Sequence, residues 1–356
     1  LLRNILREES GAFTANSNLL GKSYLHLASM KLKNNIDKIP LLRAFRVSQN
    51  LREPMIRELK RLKDSGAIEE AEGAPISTPY FLVRKGTSSD DDPQYRLVFD
   101  YRWLGEITED ICLHAPLRSN IYDQIAKGET NCMSSIDIKG AFGQQVLEPR
   151  SRDLTTFLGM DGKAWRLTTS PQGFKNSSFN FSELLRKALG DADPHKLQHY
   201  IDDILLFTGS VKEHLVLLSQ TLRRLKLAGL KLSGTKCKFL VKKVEFLGYT
   251  IEKKTISMTN RHTDAIRNIA EPTNRKGLRS FLGLVNFCAI FLSRRSELCR
   301  PLYNLLKGKD KFEWTDEARK AFFKIKHELL SAKVLKLANF DEDFILMSDG
   351  SCQGIG

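Results

Sequence analysis

The sequence predicts an α+β fold in which short strands end in carboxylates and a helical region follows. Residues 199–207 form the pattern of a strand, a tight turn and a second strand, because apolar residues flank the adjacent pair Asp202 and Asp203. Another strand-like run ends at Asp137. From about residue 260 onward, apolar residues recur with helical spacing. These three observations predict a small sheet that carries acids, followed by a mostly helical unit.

Length and composition limit the number of domains, the class of protein and the kinds of partner. The chain has 356 residues, enough for two or three domains, and 41% of them are hydrophobic. Lys and Arg number 56 against 42 Asp and Glu, a net charge of +14 that suits a polyanionic partner, although a solvated surface could also carry it. The six cysteines lack paired close spacing, which is typical of reduced thiols in an intracellular protein. The longest apolar run is too short to span a membrane, and no membrane partner is expected.

The beginning of the chain carries little pattern. Residues 1–35 are weakly periodic and are predicted to form a linker or a partly ordered arm. A helix is predicted after Pro54, with one apolar face and an end at Gly66. The chain starts without Met, and we expect it to be a segment of a longer polypeptide.

Two β-rich runs, at residues 80–85 and 95–101, are separated by an acidic loop and predict a hairpin. Lys85 lies on one arm and Arg96 on the other. Cations at such places can be edge-strand charges that discourage aggregation. They can also close on a triphosphate, with Arg binding in bidentate fashion. The two interpretations stay open at this point.

The chain after Asp137 continues with small residues around Phe142, and residues 171–176 form a Pro-x-Gly turn before a helix. Ser210 and Glu213 form a capping box that starts a long amphipathic helix. Further motifs complete the pattern: a hairpin at residues 244–251 with its bend at Gly248, helices around 261–269, 276–291, 298–306 and 316–330, and a last strand at 343–349 that ends in Asp349.

Three aspartates at the ends of neighbouring strands would suit a pair of Mg²⁺ ions, which require hard oxygen ligands from at least two directions. The alternative is a solvated hairpin tip, because Asp is common in turns. His195 and His199 have the spacing of a zinc pair on a helix, but Asp193-Pro194 precedes them and a strand follows, so polar contacts are the favoured interpretation.

The ordered motifs resemble those of the reverse transcriptases of LTR retroelements and retroviruses, and the gypsy class of LTR retrotransposons most of all. The resemblance covers about residues 36–356 and includes a match to the segment between polymerase and RNase H. The motifs that carry it are, in chain order, Lys85, Arg96, Asp137, Phe142, Pro171-Gln172-Gly173, Tyr200-Ile201-Asp202-Asp203 and Phe246-Leu247-Gly248.

This resemblance implies an RNA-directed DNA polymerase, a nucleotidyltransferase within a Pol polyprotein. It implies that Asp137, Asp202 and Asp203 are catalytic and hold two Mg²⁺ ions, with Mn²⁺ as an alternative, and that the carbonyl of Ile138 is a further ligand. The implied dNTP-binding residues are Lys85, Arg96, Phe142 (which would exclude a 2′-hydroxyl) and Gln172, and the implied primer grip is Phe246, Leu247 and Gly248. Asp349 resembles the first carboxylate of an incomplete RNase H site.

The implied fold is a right hand: fingers, a palm with a small antiparallel sheet, and a helical thumb and connection, followed by the first strand of an RNase H-like domain. The expected boundaries are a linker or arm at 1–35, fingers at 36–108, palm at 109–145, fingers again at 146–176, palm again at 177–253, thumb and connection at 254–338, and the start of a truncated RNase H-like domain at 339–356.

The implied partners are an RNA or DNA template with its primer, dNTPs, and covalently linked protease, RNase H and integrase segments. An intracellular location is expected, cytoplasmic in virus-like particles or nuclear. Gly105 and Ser178 depart from the family pattern, which normally has Asn and Pro there. Two other functions stay open: a catalytically silent or host-adopted nucleic-acid-binding relic, and, less favoured because of Phe142, an RNA-dependent RNA polymerase.

Overall fold

We describe a computed structural model of the chain. The described residues are 1–14, 20–34, 36, 42, 45–72, 78–84, 93–111, 116–307, 312–331, 334–338, 343, 345, 350, 351, 354 and 355. Lys85 and Asp349 lie outside these residues, and so does the predicted strand at 343–349 except for residues 343 and 345.

The helices, in chain order, are α1 (Leu2–Glu8), α2 (Gln49–Asp64), α3 (Arg102–Ile107), α4 (Arg118–Lys127), α5 (Pro149–Arg152), α6 (Ser177–Leu189), α7 (Val211–Leu227), α8 (Asn260–Asn268), α9 (Arg275–Phe287), α10 (Arg295–Asn304) and α11 (Asp316–Leu330). The strands are β1 (Ser23–Ala28), β2 (Ile68–Glu70), β3 (Tyr80–Arg84), β4 (Tyr95–Phe99), β5 (Cys132–Asp137), β6 (Gln145–Leu147), β7 (Phe157–Leu158), β8 (Ala164–Leu167), β9 (Leu197–Tyr200), β10 (Asp203–Thr208), β11 (Lys238–Val241), β12 (Lys243–Phe246), β13 (Tyr249–Glu252), β14 (Thr255–Met258), β15 (Leu335–Lys336), β16 (Gly350–Ser351) and β17 (Gly354–Ile355).

A four-stranded antiparallel sheet in the order β11-β5-β10-β9 forms the centre of the molecule. Both faces of this sheet are buried. Alternate side chains of β10 point to opposite faces. Ile204 and Leu206 pack with α6 and α7, whereas Leu205 and Phe207 pack with a second sheet, β12-β13-β14-β15, and with the C-terminal helices. Each such fully buried side chain contributes about 1.5–3 kcal/mol, so the sheet is fixed from both sides.

The N-terminal part of the molecule has a core of its own. The hairpin β3–β4, the small sheet β2-β8-β7 and helix α2 pack around aromatic residues that include Tyr80, Phe157 and Trp165. Helix α2 begins at Gln49, earlier than expected, and has Pro54 inside it. Among the described residues, no helix has both the length and the apolarity needed to cross a bilayer.

Residues 1–14 and 20–34 pack against the rest of the molecule, unlike the expected linker or arm. Leu2, Ile5 and Leu6 on α1 pack on the core under the central sheet, and Lys226 forms an ion pair with Glu9 at 3.1 Å. Strand β1 pairs in parallel with β6. The sequence pattern missed this because α1 is only two turns long and the partner of β1 lies about 120 residues further along the chain.

The predicted C-terminal helices are confirmed as α8 to α11, the predicted side-chain cap at Ser210 forms, and Thr315 caps α11 in the same way. Ser210 accepts a hydrogen bond from the N–H of Glu213 at 3.3 Å, and Thr315 accepts one from the N–H of Ala318 at 3.2 Å. Capping residues satisfy N–H groups that would otherwise lack a partner in the first turn. Local sequence was sufficient for these elements.

Candidate active site

The β9–β10 hairpin brings the adjacent aspartates to the edge of the central sheet. Tyr200 pairs with Asp203, so Ile201 and Asp202 form a two-residue turn between the strands. In the neighbouring ladder, Asp203 pairs directly with Asp137. The three predicted acidic residues therefore come together, two of them as direct cross-strand neighbours.

The turn holds Ile201 in an unusual backbone conformation. Its φ is +57°, a value that a β-branched residue rarely adopts. Such a conformation costs on the order of 1–3 kcal/mol and persists only where the surrounding structure imposes it, often at functional sites. Here the pairing of Tyr200 with Asp203 imposes the conformation, and Asp202 follows directly after it.

Burial and mutual repulsion disfavour the charged forms of the hairpin acids. Burial is the largest cause that raises the pKa of Asp203, to about 6, and repulsion by Asp202 and Asp137 adds to it. The pKa of Asp202 is also raised, first by burial and then by the charge of Asp137. Lys236 opposes both shifts and lies with Nζ 3.5 Å from Asp137 Oδ2. A divalent cation would relieve this repulsion far better than one exposed Lys.

The second carboxylate oxygen of Asp137 gives direct evidence of an unmet interaction. Asp137 Oδ1 is buried and accepts no hydrogen bond from the described residues. Its backbone is fully used: the N–H donates to Cys237 Sγ at 3.4 Å and the carbonyl accepts from the Ser233 N–H at 3.0 Å. Because a buried carboxylate oxygen without a partner is costly, Oδ1 is suited to a cation.

Ile138 lies one residue beyond the end of β5 and forms an isolated antiparallel bridge with Leu232. The flanking hydrogen bonds run from Ser233 N–H to the Asp137 carbonyl and from Lys139 N–H to the Lys231 carbonyl. In this pattern the carbonyl of Ile138 points away from Leu232, to the side of β10. That orientation is compatible with the expected ligand role.

The carboxylates do not form a closed ligand shell. Among the described residues, no group of three or more His, Cys, Asp or Glu side chains surrounds one point closely enough to hold an ion. The donor set is hard oxygen on an open cleft, which fits ions that retain water and substrate oxygens as ligands. His195 and His199 do not form a helical pair, because His195 precedes β9 and His199 lies within it.

An open cleft of about 660 Å³ lies in front of the acids. Cations that the sequence pattern had not singled out line it together with the carboxylates: Arg118, Lys236, Lys238 and Arg261. These residues come from α4, from the segment before β11, from β11 and from α8. No local motif unites them, and only the excess of positive charge in the sequence was a signal.

The predicted primer-grip residues line the same cleft. Phe246 ends β12, and Leu247 and Gly248 form a two-residue turn in which φ is +48° and +88°. Positive φ at both positions is typical of a type I′ hairpin turn. Tyr122 Oη donates to the Phe246 carbonyl at 3.1 Å and fixes the turn to α4.

Phe287 supports this turn from below and was missed by the sequence analysis. A Cβ on Gly248 would lie 2.3 Å from Phe287 Cζ, so only glycine permits the contact. The guanidinium of Arg118 lies 5.1 Å from the centroid of the Phe287 ring, and the His262 ring lies 4.6 Å from it. The aromatic ring thus joins α9 and α8 to the floor of the cleft.

The remaining predicted residues do not line this cleft. Phe142 is half-buried in a 3₁₀ turn after Gly140 and packs edge-to-face with Phe181 at 5.8 Å. Gln172 is exposed in the turn before α6. Arg96 is exposed on β4, opposite Val83. Their predicted roles stay predictions.

Similarity to known proteins agrees with this geometry. Residues 83–251 match the family described as reverse transcriptase (RNA-dependent DNA polymerase). The chain is 28% identical over 357 residues to the retrovirus-related Pol polyprotein from transposon 412 of Drosophila melanogaster. The aligned region covers 100% of this chain and 28% of that protein. It is 31% identical over 317 residues to the Gag-Pol polyprotein of Woolly monkey sarcoma virus, which covers 86% of this chain and 18% of that polyprotein.

Among solved structures, the foamy viral protease-reverse transcriptase in complex with dsDNA is similar, with a TM-score of 0.82 and 26% identity over 96% of this chain and 69% of that chain. This likeness confirms the predicted α+β right-hand polymerase fold. The chain spans less than a third of the length of the curated relatives it matches. The chain belongs to the reverse transcriptases of retrotransposon and retroviral Pol polyproteins.

Proposed function

We propose that this chain is an RNA-directed DNA polymerase that transfers nucleotides from dNTPs to the 3′-hydroxyl of a primer on an RNA or DNA template. The observation that carries the proposal is the meeting of Asp137, Asp202 and Asp203 on a cleft that residues 246–248 also line. The acids would hold the catalytic ions, and the β12–β13 turn would hold the primer end beside them.

Reverse transcriptases work with divalent metal ions, and two Mg²⁺ ions, with Mn²⁺ as an alternative, fit this donor set. Asp137, Asp202 and Asp203 would hold the ions, and the Ile138 carbonyl would be a further ligand. The buried Oδ1 of Asp137, which accepts no hydrogen bond from the part of the chain that the structure describes, supports this assignment. When bound, such ions supply acidification of the primer hydroxyl and neutralisation of charge on the triphosphate.

The protein side chains would orient the nucleotide. Arg96, together with Lys85, would bind the triphosphate. The ring of Phe142, supported edge-on by Phe181, would lie against the sugar and exclude a 2′-hydroxyl. Gln172 would lie beside the incoming 3′-hydroxyl, on a turn that Gly173 permits with its φ of +93°.

The nucleic acid would follow the basic rim of the cleft. Arg118, Lys238 and Arg261 are suited to backbone phosphates, which supply much of the affinity in sequence-independent binding. The solved foamy viral relative binds double-stranded DNA, and we extend that property to this chain. Within a Pol polyprotein, linked protease, RNase H and integrase segments would complete the machinery, with Asp349 in the RNase H site.

Primer extension on an RNA template tests the proposal. Asp202→Asn should lower extension by about a thousandfold or more, because it removes a ligand of the ions that stabilise developing charge, while the Kd for primer–template stays within about twofold, because phosphate contacts set that affinity. Asp191→Asn is the matched control, since the side chain of Asp191 is 98% exposed and lies outside the cleft. Wild-type extension by Asp202→Asn would refute the assignment.

A further inference from the structure

His214 is buried in the interface between α7 and the central sheet. Its side chain contacts two strands at once: Nε2 lies 2.7 Å from Ser134 Oγ on β5, and Nδ1 lies 3.0 Å from Thr208 Oγ1 on β10. The residue is 0% exposed. A buried imidazole is costly unless both ring nitrogens have partners, and here both do.

One arrangement of protons satisfies every donor and acceptor around His214. Thr208 Oγ1 donates its proton to the Ser210 carbonyl at 3.2 Å, so it accepts from His214 Nδ1–H. Ser134 Oγ accepts from the N–H of Leu240 at 3.1 Å and donates to His214 Nε2. Every hydroxyl and ring nitrogen is then satisfied with a neutral imidazole.

This cluster and the carboxylates depend on the same strand register. In the β5–β10 ladder, Ser134 pairs with Leu206 and Cys132 pairs with Thr208, so the two hydroxyls are diagonal neighbours on the face that meets α7. Asp137 and Asp203 are paired on the opposite face. A slip of one residue would turn Thr208 away from His214 and would also separate Asp203 from Asp137.

The third strand of the sheet is tied to the same point. The β11–β5 ladder is irregular between Lys238 and Val241, and Leu240 there has a φ of +51°. Its N–H bonds to Ser134 Oγ. The hydroxyl therefore fixes the bulge that follows Lys236, the cation that contacts Asp137.

We propose that Ser134, His214 and Thr208 are positioning residues that lock the β5–β10 register and so hold the carboxylates of Asp137 and Asp203 in place for a divalent cation. Apolar packing on both faces holds these elements together, and a polar cluster adds specificity because its bonds are all satisfied in one register alone. The expected effect of this cluster on catalysis rests on the proposed function. Its effect on the alignment of the two carboxylates does not depend on that function.

The test uses Mn²⁺ binding to the full chain without nucleic acid, measured by electron paramagnetic resonance, together with kcat and KM for primer extension. His214→Phe keeps a ring of similar size and removes both hydrogen bonds. We expect it to weaken Mn²⁺ binding by about tenfold or more, as for other groups that orient metal ligands. We also expect kcat to fall while the Kd for primer–template stays unchanged. His214→Gln, which keeps a donor and an acceptor, should recover part of both.

Thr221→Val is the matched control, because Thr221 is buried on the same helix and, among the described residues, its hydroxyl bonds only within that helix, to the Leu217 carbonyl. It should leave Mn²⁺ binding and kcat at wild-type values. If His214→Phe does not fold, Ser134→Ala and Thr208→Val remove one bond each and should each weaken Mn²⁺ binding. Folded variants of the cluster with wild-type Mn²⁺ affinity would overturn the inference. If the wild-type protein binds Mn²⁺ but does not extend a primer, the proposed function is overturned instead.

Discussion

Asp203 lies directly opposite Asp137 across two hydrogen-bonded strands, and both carboxylates line the cleft that Asp202 also faces. Close negative charges in a partly desolvated place raise the free energy of the folded state when no cation is present. The metal-free protein should therefore be less stable than the same protein without this charge repulsion. This destabilisation makes the site measurable without catalysis.

Asp203→Asn should stabilise the metal-free protein at pH 8. The pKa of Asp203 is raised to about 6 in the folded state, so its contribution to stability is present at low pH and is lost as pH rises through 6. Asparagine avoids that loss. The gain should be on the order of 1 kcal/mol, since Asp203 is still partly exposed and solvent screens it. Urea unfolding in EDTA measures it.

Two further conditions, low pH and added Mg²⁺, serve as controls for the stability of Asp203→Asn relative to the wild type. At pH 4 the carboxyl of Asp203 is largely protonated in the folded protein, so the two proteins should unfold at nearly the same urea concentration. Added Mg²⁺ should stabilise the wild type more than the variant, because ligand binding stabilises only the protein that binds it. An Asp203→Asn protein that is less stable at pH 8 in EDTA would contradict the electrostatic account.

Acid should destabilise the protein through His214. Burial lowers its pKa to about 4, and the charge of Glu213, on the same helix, opposes this shift. The unfolded chain then binds a proton that the folded chain excludes between pH 6.5 and about 4, so stability falls as pH falls through that window. The loss should reach about 2–3 kcal/mol. His214→Phe should lack this component, and the difference in slope of unfolding free energy against pH is the measurement.

Comparing the slopes of the two proteins matters because the pKa values of Asp202 and Asp203 are raised, that of Asp203 to about 6, and their contribution to stability changes with pH in the opposite sense. Their contribution is common to both proteins and cancels in the difference. Equal slopes would mean that His214 is protonated in the folded state and that the proton arrangement assigned to its hydroxyl partners does not hold.

The sequence predicted the acids well because each lies in a local pattern, a strand that ends in Asp or a hairpin tip. Local pattern also predicted the capped helices and the bend at Gly248. It could not predict the basic rim, since Arg118, Lys238 and Arg261 meet only after folding. His214 looked like an ordinary residue of an amphipathic helix, because its role depends on hydroxyls that lie 80 residues before it and six residues before it.

Gly248→Ala should displace the β12–β13 turn. Alanine there is strained by a φ of +88° and its Cβ would lie 2.3 Å from Phe287 Cζ. Gly162→Ala is a matched control, because its φ is +78° but no atom of the described residues lies within 4 Å of the added Cβ. We expect both to lose about 1 kcal/mol of stability from backbone strain, and only Gly248→Ala to weaken extension by tenfold or more.

The contact with Phe287 makes this prediction specific. Phe287→Leu in the Gly248→Ala background should restore part of the extension rate, since the smaller side chain leaves space for the Cβ. Equal extension rates for Gly248→Ala and Gly162→Ala would show that the position of this turn is unimportant for the primer end.

Phe142→Val should reduce discrimination against ribonucleotides by about tenfold or more, because the shortened side chain would leave room for a 2′-hydroxyl. The measurement is the ratio of kcat/KM for a dNTP to that for the matching rNTP. Phe239→Val is the control: Phe239 packs against the same core and contacts Phe13 edge-on, at a centroid distance of 6.2 Å. Unchanged discrimination in Phe142→Val, with normal dNTP extension, would remove this residue from the sugar site.

Lys238→Ala and Arg261→Ala should each lower the salt dependence of duplex DNA binding. If each cation neutralises one phosphate, its loss reduces the slope of log K against log salt by about 0.9, and the double variant should lose about 1.8. Lys320→Ala on α11 is the control, because Lys320 is exposed outside the cleft. Asp202→Asn should leave the slope unchanged, since a carboxylate does not neutralise a phosphate and so releases no counterion from the DNA. A slope that falls equally with Lys320→Ala would mean that the whole basic surface, and not this rim, binds the duplex.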